Sequence, residues 1–126
     1  MSFQIWRTPR HLFNTGSFKL HSGDESDWEI DCRALQWGDW LWAAREVATR
    51  VQFGSVEGVP TGGLAFARAL EPYCTVGPLL IVDDMMTTGQ SMEELRAGRS
   101  PCVGYVLFDR TGLTSDWIKA LWRFVD

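Results

Sequence analysis

The sequence predicts an α/β fold, a small and mainly parallel sheet flanked by helices. Two short apolar runs, Val51–Val56 and Leu79–Val82, are each followed by a polar turn and then by a helical pattern. A third apolar run, Cys102–Phe108, comes later in the chain. Strands that alternate with helices are typical of a parallel sheet. In such a sheet we expect the ligand site at the carboxyl ends of the strands.

Composition limits the classes of protein to consider. The 126 residues, 45% of them hydrophobic and 22% charged, predict one soluble domain over 1–126. A net charge of −4 argues against a surface that binds nucleic acid. No run approaches the roughly 20 apolar residues of a membrane span, and the start lacks a signal-peptide pattern, so we expect a cytoplasmic protein. The three cysteines, far apart in the sequence, predict reduced thiols: Cys32, Cys74 and Cys102.

The first 36 residues differ from the rest, which divides the predicted domain into an N-terminal segment (1–36) and an α/β core (37–126). Within the segment, Phe13–Arg33 is polar and rich in turn residues, and it predicts a loop with one short strand around Trp28–Asp31. The core begins with a predicted helix over Trp37–Arg50, whose apolar residues recur at three and four, with Asp39 as its N-cap.

The tryptophans of this helix do not fit a single apolar face. At their spacing they cannot all contact one core, so we expect at least one to lie under the N-terminal segment or in a contact between subunits: Trp37, Trp40 and Trp42.

A glycine-rich turn follows the second predicted strand and leads into a predicted helix over Leu64–Leu70. Its glycines, Gly58, Gly62 and Gly63, allow main-chain N–H groups to approach a ligand closely. One glycine loop alone is weak support for a phosphate site, but a second loop of the same type follows the next strand.

That second loop lies in the most informative stretch, Leu79 to Ser91. Four apolar residues predict a strand buried on both faces, and Asp83 and Asp84 close it. A hydroxyl-rich turn, Thr87–Ser91, then leads into a predicted helix that ends near Gly98. Backbone N–H groups at such a place bind anions, so one site would hold the phosphate and the hydroxyls of a ribose 5-phosphate. The alternative is a plain helix cap beside a solvated acidic pair.

The third predicted strand ends in Asp109 and Arg110, and a capped amphipathic helix is predicted over Ser115–Phe124. A guanidinium at the carboxyl end of a strand suits a planar carboxylate, because it donates two parallel hydrogen bonds. The alternative for Arg110 is a surface pair with Asp109.

These motifs have a family resemblance. Ile81–Ser91 resembles the 5-phosphoribosyl-1-pyrophosphate (PRPP) motif of the type I phosphoribosyltransferases, and Gly58–Gly63 resembles the pyrophosphate loop of their orotate branch. The segment Phe18–Gly23, with Ser26, Trp28, Asp31 and Arg33, is similar to the short N-terminal hood of that branch. The resemblance implies the type I phosphoribosyltransferase fold and the synthesis of orotidine 5′-monophosphate from orotate and PRPP with Mg²⁺. It also implies a homodimer.

The resemblance assigns roles to individual residues. Four are implied in catalysis: Lys19, His21, Asp83 and Asp84. The ribose and 5′-phosphate would be held by Asp83, Asp84, Thr87, Thr88, Gly89, Gln90 and Ser91. The pyrophosphate would be lined by Glu57, Gly58, Val59, Pro60, Thr61, Gly62 and Gly63, and the base would contact His21, Thr87 and Arg110. Mg²⁺ would be carried by PRPP, with no direct protein ligand.

The chain departs from the family in two places. Family members carry a lysine where this chain has His21, so Lys19 would have to substitute, or His21 is a surface residue. After Leu70 only eight residues, 71–78, precede the next strand, whereas the family places a strand and a mobile basic hairpin there. No Lys, Arg or His lies between Arg68 and Arg96.

Three alternatives therefore stay open: two functions that bind a ligand and one purely structural role. The first is a phosphoribosyltransferase that works without its hairpin. The second is a module on the same fold that binds PRPP or a nucleotide as a sensor or regulator. The third is a structural protein that acts through its tryptophan-rich surface.

Overall fold

The computed structural model describes residues 11–19, 25–99, 101–111 and 115–124. The chain divides into two compact units, Met1–Gln36 and Trp37–Asp126. The first unit holds an antiparallel hairpin of strands β1 (Phe13–Lys19) and β2 (Glu25–Ile30). The prediction of a single short strand there was wrong, because the register pairs Phe13 with Ile30 and so recruits a polar segment as the second strand.

The hairpin leads into a short 3₁₀ turn, Cys32–Ala34. Asp31 begins this turn, and its carboxylate accepts hydrogen bonds from the backbone N–H and the guanidinium of Arg33. The pairing with Asp31 raises the pKa of Arg33 above its ordinary value. Both residues are therefore occupied with each other in this unit.

The second unit is built on a four-stranded, fully parallel sheet in the order β3-β4-β5-β6. The strands are β3 (Ser55–Gly58), β4 (Leu79–Met86), β5 (Cys102–Asp109) and β6 (Ile118–Arg123). The central strands are almost wholly buried, as their apolar runs predict. The predicted α/β fold class is confirmed.

Three helices accompany this sheet: α1 (Trp37–Arg50), α2 (Leu64–Leu70) and α3 (Gln90–Arg96). Helices α1 and α2 contact each other through Trp40 and Phe66, whose ring centroids are 5.3 Å apart. Trp40 is buried, whereas Trp37 and Trp42 are about half exposed, so the three tryptophans do divide between environments. Among the described residues, no helix is both long and apolar enough to cross a membrane.

Helix α3 is joined to the sheet by a cluster of apolar side chains. Met92 belongs to it together with Ile81, Val106 and Ile118 from the three neighbouring strands. Gly104 in β5 allows this close approach, because a Cβ there would stand 2.9–3.0 Å from Trp117, Ile118 and Met92. The helix that carries the second polar loop is thus held directly on the sheet.

The predicted C-terminal helix was wrong, because Ile118–Arg123 is the edge strand β6. Trp117, Ile118, Leu121 and Trp122 fit a helical stripe by spacing, but six residues of this stretch instead lie beside β5 in parallel register, with Gly104 opposite Ile118 and Asp109 opposite Arg123. Pairing with the buried strand β5 outweighed the helical spacing of the apolar residues, and this stretch therefore forms a strand.

Three predicted boundaries also needed correction. Strand β3 begins at Ser55, since Val51–Phe53 runs outside the sheet although Phe53 is buried. Strand β4 continues to Met86, because its pairing with β5 extends beyond the two aspartates. Helix α1 begins at Trp37, so Asp39 lies inside its first turn rather than at the N-cap.

Candidate functional site

The glycine loop that follows β3 packs against the end of β4. The backbone N–H of Val59 donates to the carbonyl of Val82, 2.9 Å away, which holds the start of the glycine loop on β4. Gly62 lies against the carboxylate of Asp84, since a Cβ at Gly62 would stand only 2.6–2.7 Å from its carboxyl atoms. The glycine loop is therefore in direct contact with the acidic end of β4.

The glycines of the first loop are required by close backbone packing. A Cβ at Gly58 would stand 2.3 Å from the carbonyl oxygen of Gly63, and one at Gly63 would stand 2.4 Å from that of Val82. The loop turns back on itself through a hydrogen bond from Gly63 N–H to Val59 O, 2.7 Å, and its Pro60–Thr61 peptide is cis. Only glycine fits at these contacts.

The acidic pair lies in the last half of β4. Asp83 is 9% exposed, and its Oδ1 accepts the N–H of Asp84 at 2.8 Å. Asp84 Oδ1 in turn accepts the N–H of Met85 at 2.7 Å. Burial first, and then the neighbouring Asp84, raise the pKa of Asp83 to about 8. Asp83 therefore keeps its proton at neutral pH, and the pair carries fewer negative charges than its sequence suggests.

The hydroxyl-rich turn connects β4 to α3. Gly89 has φ +85°, a left-handed conformation that favours glycine, and its carbonyl accepts the N–H of Glu93 at 3.0 Å. Thr88 Oγ1 accepts the backbone N–H of Gln90 at 3.3 Å, and the Gln90 side chain donates to Glu94. Thr87 is half buried and Ser91 is exposed in the first turn of α3. The turn thus gathers small polar groups beside the acidic pair.

The end of β5 is fixed by a buried carboxylate. Asp109 has no exposed surface; its Oδ2 accepts from Arg123 Nε at 3.0 Å, and its Oδ1 accepts from Thr111 N–H and Oγ1, each at 2.7 Å. The backbone N–H of Arg110 donates to the carbonyl of Met86, 2.9 Å away. Arg110 is therefore anchored at the strand end that adjoins the Thr87–Ser91 turn.

A cavity of about 530 Å³ opens between this turn, α3 and the connection from β5 to β6. Its described lining is mainly polar: Met86, Thr88, Gly89, Glu93, Thr111, Ser115, Asp116 and Ile118. The residues after Arg110 had no predicted role in the site, because 115–124 was predicted to be a helix. The signal in the sequence was the order Asp109-Arg110-Thr111, in which the buried Asp109 accepts hydrogen bonds from Thr111 at the end of its own strand.

Other predicted residues make different contacts, belong to the N-terminal unit or fall outside the described residues. The carboxylate of Glu57 forms a two-point ion pair with the guanidinium of Arg99, which follows α3. Lys19 is the exposed last residue of β1, in the N-terminal unit, and His21 lies outside the described residues. The connection from α2 to β4 is a 3₁₀ turn, Glu71–Tyr73, and a bend, without a hairpin. The three cysteines are partly buried.

No protein-family model and no curated protein matches the sequence. Solved structures do match. The UMP synthase of Leishmania donovani has a TM-score of 0.75 at 22% identity over 90% of this chain, which spans 34% of that protein. The orotate phosphoribosyltransferase of Aeropyrum pernix has a TM-score of 0.66 at 25% identity, with 89% of this chain and 88% of that one covered.

The orotate phosphoribosyltransferase of Mycobacterium tuberculosis H37Rv has a TM-score of 0.64 at 19% identity, with 91% of this chain and 90% of that one covered. These likenesses confirm the fold that the sequence motifs predicted.

Proposed function

We propose that this chain, which has the fold of the type I phosphoribosyltransferases, binds PRPP and transfers its phosphoribosyl group to a pyrimidine base such as orotate. The observation that carries the proposal is the contact between Gly62 and Asp84. It joins a glycine loop suited to a diphosphate with an acidic pair suited to ribose hydroxyls. The resemblance to solved orotate phosphoribosyltransferases and a UMP synthase supports the same assignment.

The arrangement of the β4 end suits a ribose 5-phosphate. The carboxylates of Asp83 and Asp84 are oriented by backbone N–H groups, so they accept hydrogen bonds from the ribose hydroxyls without rearrangement. The turn from Thr87 to Ser91 offers hydroxyl and main-chain groups to the 5′-phosphate. Asp83 holds a proton in the empty site and releases it most easily when a ligand donates to the pair.

In the transfer, a base nitrogen forms a bond to C1 of the ribose as the bond from C1 to the diphosphate oxygen breaks, and the diphosphate leaves with the electron pair. Charge grows on the leaving group, so each preorganised contact there is worth about 10²–10³ in rate. The loop from Glu57 to Gly63 faces this group with its backbone. Arg110 receives the carboxylate of the base.

Magnesium fits this scheme as a part of the substrate. Among residues 11–19, 25–99, 101–111 and 115–124, no three His, Cys, Asp or Glu side chains gather into a metal cage. A hard cation that prefers oxygen ligands would be held by the diphosphate and ribose oxygens of PRPP, where it offsets the charge of the leaving group. The full proposal is a single cytoplasmic domain that acts as a homodimer.

A second candidate function is a PRPP or nucleotide sensor on the same fold. The specific observation in its favour is the connection of residues 71–78, which has no basic residue and no hairpin to close over the diphosphate. Without a lid the reacting centre stays open to water, which weakens catalysis more than binding.

Turnover separates the two candidates. We would incubate the protein with Mg²⁺ and PRPP and measure pyrophosphate release with and without orotate, beside an Asp83→Asn/Asp84→Asn variant. The enzyme releases pyrophosphate only when orotate is present, and the variant does not. Release that is absent with every pyrimidine base, in a protein that still binds PRPP, would reject the enzyme in favour of the sensor.

A further inference from the structure

A tryptophan on the connection from β5 to β6 contacts helix α3. Asp109 ends β5 and Ile118 begins β6, so this connection has eight residues, 110–117, whereas parallel strands usually need a dozen or more. The backbone of Trp117 is fixed at the end of the connection. Its carbonyl accepts the N–H of Gly104 at 2.9 Å, and its own N–H donates to Ser115 Oγ at 3.3 Å. The Trp117 side chain is therefore held at a defined place beside α3.

The indole of Trp117 contacts two charged residues of α3. Its Nε1–H donates to Glu93 Oε1 at 2.6 Å, and the guanidinium carbon of Arg96 lies 4.6 Å from the ring centroid. Glu93 Oε2 and Arg96 Nη1 are 3.7 Å apart, so the three side chains contact one another in a triangle. A guanidinium is attracted to an aromatic face, and a hydrogen bond to a carboxylate is stronger than one between neutral groups. These contacts orient the Glu93 carboxylate.

Glu93 stands beside the turn that is proposed to hold the 5′-phosphate. Its backbone N–H donates to the carbonyl of Gly89 at 3.0 Å, so the two residues are one helical turn apart. Glu93 also lines the cavity together with Thr88 and Gly89. The described lining of this cavity has two carboxylates, those of Glu93 and Asp116, and no Lys or Arg. A phosphate at the turn is therefore repelled by Glu93 to the extent that this charge is not offset.

We propose that Trp117 is a positioning residue that keeps the Glu93 carboxylate beside Arg96 and so limits its repulsion of the 5′-phosphate. The inference rests on the proposed function, and it adds a residue that belongs to none of the sequence motifs. Without the indole N–H, the carboxylate keeps its 3.7 Å pair with Arg96. The two side chains of that pair are 42% and 58% exposed, and exposed ion pairs hold side chains weakly. The carboxylate would then turn into the cavity.

The test compares two ligands that differ only in the phosphate. Orotidine 5′-monophosphate and orotidine are titrated by calorimetry into the full chain and into Trp117→Phe, which keeps an aromatic ring beside Arg96 but lacks the N–H donor. We expect the variant to bind orotidine 5′-monophosphate about fivefold more weakly and orotidine unchanged. The loss should shrink as salt is added, because salt screens the charge of Glu93. The matched control is Trp37→Phe, a half-exposed tryptophan at the start of α1, which should change neither affinity.

A second substitution separates charge from packing. Glu93→Gln removes the charge but keeps a side-chain oxygen that accepts from Trp117. This variant should bind orotidine 5′-monophosphate at least as tightly as wild type does. Trp117→Phe/Glu93→Gln should regain the affinity that Trp117→Phe loses. A tryptophan that only packs against the sheet would show no such recovery.

Four results would overturn the inference. The first is an unchanged affinity of Trp117→Phe for orotidine 5′-monophosphate, in a protein whose wild type binds it. The second is an equal loss of affinity for both ligands. The third is a loss that persists when Glu93→Gln is added, or weaker binding by Glu93→Gln alone. The fourth is a wild-type protein that binds neither ligand, and this result alone would also remove the proposed function.

Discussion

The two halves of the sheet edge are built by different means. At the ends of β3 and β4 the contacts are made by backbone and small residues, as in the meeting of Gly62 with Asp84. At the ends of β5 and β6 they are made by side chains: an ion pair between the buried Asp109 and the exposed Arg123, and the stacked rings of Phe108 and Trp122. The first half suits the repeated polar groups of a phosphoribosyl ligand, and the second suits a flat, partly apolar base.

This difference has energetic consequences. In the glycine half, Gly62 meets the end of the Asp84 side chain rather than backbone, so a change at Gly62 should alter binding more than folding. In the other half a charge is buried and rings interlock, so changes there should alter folding strongly. Each prediction below tests one side of this contrast.

The largest effect is expected for Arg123→Gln. Asp109 is fully buried, and loss of its charged partner leaves a carboxylate with Thr111 as its remaining described side-chain donor. We expect the free energy of unfolding, measured in urea, to fall by about 3 kcal/mol.

The control is Arg50→Gln, which removes an exposed ion pair with Glu46 on α1. That change should cost no more than about 0.5 kcal/mol. Equal losses in the two variants would mean that the Asp109 network does not stabilise the β5–β6 half.

The next effect is a pH dependence caused by Asp83. The unfolded chain releases this proton near pH 3.8, whereas the folded protein keeps it to about pH 8. Because the folded state binds more protons between these values, its stability falls as the pH rises through this window and is lowest above it. Asp83→Asn lacks this loss, so it should match wild type near pH 4 and become increasingly more stable than wild type as the pH rises toward 8.

Urea unfolding at a series of pH values measures the difference. Asp84→Asn sharpens the test, because Asp84 is one cause of the raised pKa of Asp83 and its removal should narrow the window. Parallel pH profiles for wild type and Asp83→Asn would contradict the burial argument.

The smallest effect is expected for Gly62→Ala. The new Cβ would overlap the carboxyl group of Asp84, which is the movable end of a side chain, so the loop can fold once that group shifts. We expect the free energy of unfolding to change by less than about 1 kcal/mol, and the affinity for Mg²⁺ and PRPP to fall by about tenfold because the acidic pair is misplaced.

Gly38→Ala is the matched control, since a Cβ at Gly38 meets nothing within 4 Å. It should change neither stability by more than about 0.5 kcal/mol nor binding. A Gly62→Ala protein with wild-type affinity would show that the contact between Gly62 and Asp84 is unimportant for the ligand.

The half at the ends of β3 and β4 could be predicted well from the sequence, because its structure is determined by residues that are close together in the chain. The short apolar runs, the turn glycines and the helices over Trp37–Arg50 and Leu64–Leu70 all depend on neighbours in the chain. Glycine at 58 and 63 is required by the backbone itself, so its meaning does not depend on distant residues.

The half at the ends of β5 and β6 could not be predicted from the sequence, because its structure depends on pairing between residues that are distant in the chain. By their spacing, Trp117, Ile118 and Leu121 fit a helix. Only the parallel register with β5 places Ile118 and Leu121 in a strand, with Trp117 just before it. The partner of Asp109, Arg123, is 14 positions away in the sequence, whereas the only partner considered for it from the sequence was the adjacent Arg110, as the alternative to base binding. The hairpin of β1 and β2 was missed for the same reason.

The central claim is that the end of β4 holds a phosphoribosyl ligand. Calorimetric titration of PRPP with Mg²⁺ into wild type and into Asp83→Asn/Asp84→Asn tests it most directly. We expect saturable binding to wild type and a loss of at least about a hundredfold in the variant, since each substitution replaces an accepting carboxylate oxygen by an amide NH₂ donor. Equal affinity in the two proteins, or no binding to wild type, would contradict it.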